Sequence, residues 1–135
     1  MTADPKQKLD LERWYVILVA LHSYCVGGFL LFATRWGAEF GGWGDVEPLF
    51  FARQAGVFHF VVATGYLIEY FRYRRITLLL TAKSIAVVFL TSMALLDGQP
   101  WAVPLSAAAD GAMAGIAWWL HRRAGDGGSG RLGTG

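Results

Sequence analysis

The chain has 135 residues, 55% of them hydrophobic and only 16% charged, well below the roughly 25% charged content of a typical soluble domain. Its formal charge is +2, and its basic residues are grouped by chain segment instead of forming one long patch, which argues against a nucleic-acid partner. Cys25 is the single cysteine, which rules out an intrachain disulfide and a thiolate metal cluster built by one chain.

Met1 to Arg13 is polar and mixed in charge and reads as a frayed lead-in. Trp14 to Phe32 then carries no formal charge over 19 residues. That exceeds the apolar core of a secretory signal, roughly 7–15 residues, and no small-x-small cleavage site follows, so an uncleaved first span over 14–33 is expected. Residues 35–47 are rich in Gly and aromatics, with Trp36, Phe40 and Trp43 suited to a headgroup surface, and predict a loop lying along the interface.

Pro48 suits a first helical turn and opens a second span over 49–71, stopped by Arg72, Arg74 and Arg75. The third span is 76–96, interrupted by Lys83, and Asp97-Gly98-Gln99-Pro100 is a turn signal. The fourth is 101–121, with Pro104 tolerated near its start. Residues 122–135 begin with two arginines and continue Gly-rich, reading as a disordered tail.

Short connections make neighbouring spans antiparallel. The expected fold is all-α: an integral membrane, up-down four-helix bundle. With the N-terminus cytoplasmic, the inside segments hold nine Lys and Arg (Lys6, Lys8, Arg13, Arg72, Arg74, Arg75, Arg122, Arg123 and Arg131) against two outside, Arg35 and Arg53. Positive charge concentrates on the cytoplasmic side, so both termini are expected there, in an inner or cytoplasmic membrane. Arg53 is then an outer-headgroup anchor, and Arg72, Arg74 and Arg75 are inner anchors. Small residues Ala107, Gly111 and Gly115 recur every four positions on the fourth span, and Gly56 lies on the second; both are expected helix-packing sites.

An isolated charge inside the bilayer costs at least about 2.5 kcal/mol, so intramembrane ionisable groups should face inward and pair. Counting from the span ends places His22, His59 and Asp110 near one depth, with Lys83 about a turn to the cytoplasmic side. Lys83 with Asp110 is the expected pair; the alternative is a Lys83 that snorkels to the headgroups. Two stripes at helical spacing are expected to face the interior: Tyr15, Leu18, His22, Cys25 and Phe29, and Ala52, Gly56, His59, Ala63 and Tyr66. Glu69 reads as a local surface partner of Arg72 and Tyr73. Cys25 reads as an inert small apolar residue.

Several uses of these groups are chemically open. Bis-histidine ligation of haem b needs two neutral imidazoles on facing helices, a demand that His22 and His59 meet, although either can equally be a hydrogen-bonded packing residue. A quinone needs hydrogen-bond donors in an aromatic slot, for which His22, His59 and Tyr66 are candidates and Lys83 is also available. A proton or solute path would use the His, Lys and Asp set as a relay. No phosphate loop, metalloprotease helix or nucleophile context is present, and no metal site is expected.

Arg53 and Gly56 opening the second span, Tyr66 near its end, Lys83, Pro100-Trp101 and Asp110 together resemble the small four-helix DoxX-like membrane proteins, over about residues 51–121. The resemblance implies a compact four-helix bundle. It also implies a link, in some members, to quinone-dependent sulfur oxidation or to membrane subunits of oxidoreductase complexes. His22 and His59 map onto no motif of that family. The functional expectation is a non-catalytic accessory subunit, packed in lipid against other membrane subunits of a respiratory or photosynthetic complex. The alternative is a small redox protein, with haem b or quinone, or a proton or solute transporter.

Overall fold

The computed structural model describes residues 5–126; the expectations for 1–4 and 127–135 lie outside them, as does Arg131 of the orientation count. The described residues are all-α, in the order α1 (Pro5–Phe32), α2 (Thr34–Phe40), α3 (Leu49–Tyr73), α4 (Thr77–Leu96) and α5 (Ala102–Asp126).

Three expected boundaries are corrected. Residues 5–13 are not a frayed lead-in but the first turns of α1, which runs unbroken for 28 residues. Pro5 is preset for a first helical position, and Lys, Gln, Leu and Glu are good helix formers. The expected interface loop contains α2, where Trp36 and Phe40, four residues apart, stack at 5.4 Å. Residues 122–126 of the expected tail continue α5.

The ends of the other helices have local causes. α3 begins after Pro48 and stops at Arg74, whose φ of 53° lies in the left-handed region and whose N–H donates to the Tyr70 carbonyl at 2.9 Å. Glycine normally fills that position because it has no Cβ to clash, so an arginine there is conformationally costly. Gly98 supplies the positive φ (57°) that the α4–α5 turn requires.

The four long helices close a ring: α1 packs on α3 and α5, and α4 packs on α5 and α3. Each helix runs antiparallel to both its neighbours. The core holds Val16, Val19, Tyr66, Tyr70, Ile76, Leu79 and Ala117. It sits towards the end that carries the start of α1, the α3–α4 turn and the finish of α5, called here the basic end. At the opposite end Phe32, Leu95 and Leu96 are exposed.

Large apolar side chains also point outward on every long helix: Leu18 and Leu21 on α1, Phe58 and Val61 on α3, Val88 and Phe89 on α4, Leu105 and Ile116 on α5. By length and hydropathy, two described helical segments are long and apolar enough to cross a membrane, Gln7–Phe32 and Thr77–Leu96.

Aromatic rings collect at both ends. At the basic end, guanidinium groups sit over rings: Arg13 on Phe71, Arg74 on Tyr70, Arg122 on Trp118 and Arg123 on Trp119. At the other end Phe29, Trp36, Phe40 and Trp101 form a continuous run of ring contacts.

Candidate functional site: a buried lysine–aspartate pair and its neighbours

α4 is largely apolar and carries no Asp or Glu, so Lys83 has no carboxylate on its own helix to pair with. It turns inward to α5, where its Nζ donates to Asp110 Oδ1 at 2.5 Å. The side chains are 6% and 15% exposed. Two charges withdrawn from water in this way hold each other in place. The pair adds little net stability, yet losing one member leaves the other charge stranded. Lys83 therefore does not snorkel.

The other expected site residues surround this pair unequally. Tyr66 is buried on α3 and within electrostatic reach of Asp110. His59 is half-buried and within electrostatic reach of Lys83, Asp110 and His22. His22 also feels Lys83 and Asp110, but it is exposed. The inward stripe expected on the first span is thus corrected. Leu18, His22, Cys25 and Phe29 are exposed, while the buried face of α1 carries Glu12, Val16, Val19, Ala20, Ser23 and Gly27. The stripe on α3 does face inward, with Gly56, Ala63 and Tyr66 buried.

Gly27 and Gly56 set the α1–α3 contact. A Cβ on either would stand 2.8 Å from the other's carbonyl oxygen, and one on Gly27 would stand 3.0 Å from the His59 Cβ. His59 is therefore level with Gly27, five residues beyond His22, or about 7.5 Å along the helix. The two histidines are not at one depth. With the backbones touching at His59, there is no slot between α1 and α3 for a macrocycle held by His22 and His59. The residues present do not fit a bis-histidine haem.

The expected packing face of α5 is only partly used. Ala107 is buried, and a Cβ on Gly111 would meet Val87 Cγ2 at 3.7 Å, but one on Gly115 would meet nothing within 4 Å. Positions four apart on an α-helix drift by about 40° at each step, which carries the stripe out of the core by Gly115. The expected anchor arginines lie at the surface. Arg53 and Arg75 are exposed, and Arg72 and Arg74 lean on Tyr73 and Tyr70. Glu69 is not a local surface partner: its Oε2 accepts the Leu78 backbone N–H at 2.8 Å and caps the start of α4. Among the described residues no group of three or more metal-ligating side chains is found.

Sequence reasoning missed a second buried polar node at the basic end. His121 Nδ1 and Glu12 Oε1 are hydrogen-bonded at 2.6 Å, with the Glu12 side chain 5% exposed and the His121 side chain 41% exposed. The Tyr70 hydroxyl is buried beside the Glu12 carboxylate and the Arg74 guanidinium. The signal was the spacing Glu12, Val16, Val19, Ser23, Gly27, which sets Glu12 on the same helical face as the buried residues. The Tyr15 hydroxyl ties the same two helices by donating to the Met113 carbonyl at 3.4 Å.

Comparison with family models, curated proteins and solved structures finds no match to this chain, so the DoxX-like resemblance rests on the quoted residues alone.

Proposed function

We propose that this chain is a multi-pass integral membrane protein whose four long helices all span the bilayer. In this reading both termini are cytoplasmic, the membrane is an inner or cytoplasmic one, and the chain acts as a non-catalytic accessory subunit of a larger respiratory or photosynthetic complex. Support for the membrane comes from the outward apolar side chains on all four long helices and from the aromatic collections at both ends. Support for the subunit role comes chiefly from Gly115, a small residue at four-residue spacing from Gly111 that has open space above it. Inside a bilayer, such a surface gains by admitting a neighbouring helix closely. Co-purification from native membranes in mild detergent tests the role: stoichiometric membrane partners support it, and a lone monomer overturns it.

The Lys83–Asp110 pair favours a second reading, a small redox or proton/solute transport protein that uses Lys83, Asp110, His59, His22 and Tyr66. Within it, quinone is favoured over haem b. A quinone needs hydrogen-bond donors beside an apolar slot and does not need two imidazoles directly opposed. Chromatography of lipid extracted from the purified protein decides this. Stoichiometric quinone, lost in His59→Ala or Tyr66→Phe, supports it, and quinone-free protein removes it.

A further inference from the structure

An open groove of about 420 Å³ lies between α1 and α5, and a second open depression, on the surface of α1 alone, adjoins it and shares Leu11 and Trp14. The first opens at the basic end, where Lys8, Asp10 and Arg123 line its mouth and Trp14 and Trp119 its walls. The Arg123 guanidinium lies 3.8 Å over the Trp119 ring, which orients its planar fork. The second follows the exposed apolar face of α1 past Ile17 and Leu18 to Leu21. From Leu11 to Leu21 the helix rises about 15 Å, the hydrocarbon depth of roughly one leaflet. Together they give a charged mouth, an aromatic collar and an apolar helix face one leaflet long.

The charges at the mouth discriminate between headgroups. Lys8 and Arg123 suit a phosphate, Arg123 by a two-pronged hydrogen bond. Asp10 would repel a second negative charge and instead accepts hydrogen bonds from an ammonium. We propose that this groove binds one aminophospholipid of the cytoplasmic leaflet, with its phosphate on Lys8 and Arg123, its ammonium on Asp10 and one acyl chain along Leu11 to Leu21. Phosphatidylethanolamine has this chemistry. Phosphatidylglycerol lacks the cation, and the quaternary ammonium of phosphatidylcholine has no N–H to give Asp10.

The site rests on the membrane-spanning reading, and the test separates the two. The full chain is first washed in membranes with alkaline carbonate; its release would overturn both. Carbonate-resistant protein is then delipidated in detergent, offered each of the three lipids, and weighed by native mass spectrometry. The wild type should retain one phosphatidylethanolamine roughly fivefold better than either competitor, the preference one exposed ion pair can supply. Asp10→Asn should bring the three to within about twofold, and Arg123→Gln should weaken retention of all of them about fivefold. Equal retention by the wild type, or unchanged selectivity in Asp10→Asn, would overturn the site while leaving the membrane reading intact.

Discussion

Gly27 on α1 and Gly56 on α3 meet back to back, each where a Cβ would lie 2.8 Å from the carbonyl oxygen of the other. Backbone cannot move aside as a side-chain tip can, so Gly27→Ala or Gly56→Ala must push the two helices apart. Each should cost about 1–3 kcal/mol, the usual cost of overpacking. Gly115→Ala fills open space and should be neutral or gain up to about 1 kcal/mol of helix propensity. Thermal unfolding in detergent, followed by circular dichroism, compares the three; a Gly115 variant as damaging as the others would refute this packing.

Lys83 and Asp110 should behave as a unit. Lys83→Met leaves a buried carboxylate without its cation and should destabilise by about 3–5 kcal/mol. Adding Asp110→Leu removes the stranded charge and should restore most of the loss. A double variant that unfolds at or below the temperature of the single one would contradict the pairing.

The Glu12–His121 contact makes a similar prediction at the basic end. His121→Leu leaves the Glu12 carboxylate buried without its partner, at a cost of about 1–3 kcal/mol. Glu12→Gln keeps a hydrogen-bonding oxygen at the same place and should cost less than half as much. Hydrogen exchange of the first turns of α1 reports the outcome, since that end of the helix should open more readily in His121→Leu.

Glu69 caps a helix that is not its own. Glu69→Ala frees the Leu78 N–H and removes a carboxylate from the positive end of α4, for a loss of about 1 kcal/mol. Glu69→Gln retains the acceptor and should lose only a few tenths of that value. Equal stability of the wild type and Glu69→Ala would mean that the contact carries no energy.

Much of this was legible in the sequence, and the misses share a cause. The long helices follow the apolar runs, and Lys83 finds Asp110 because each is a charge embedded in an apolar run that needs a partner. The facing of α1 was not legible. Its apolar stretch is hydrophobic all round, so periodicity gives length without phase, and the stripe through His22 looked as good as the buried one through Val16, Val19 and Gly27. The depth of His59 depended on where α1 and α3 cross, a position set by the touching backbones of Gly27 and Gly56 and not by distance from the helix ends. Glu12 was lost with the segment read as a lead-in, although helical spacing already placed it in register with Val16.

In the proposed role the chain spans the membrane and uses the face around Gly115 to pack into a larger assembly. The most direct test is the particle mass of the wild type and of Gly115→Trp after digitonin extraction of native membranes. The wild type should migrate in a complex several times its own mass with stoichiometric membrane partners. Gly115→Trp, at a position where an added Cβ meets nothing within 4 Å, should resist a carbonate wash of the membranes as the wild type does and fall to the mass of a lone chain. A wild type that already runs as a monomer, or a Gly115→Trp variant that stays in the complex, would contradict it.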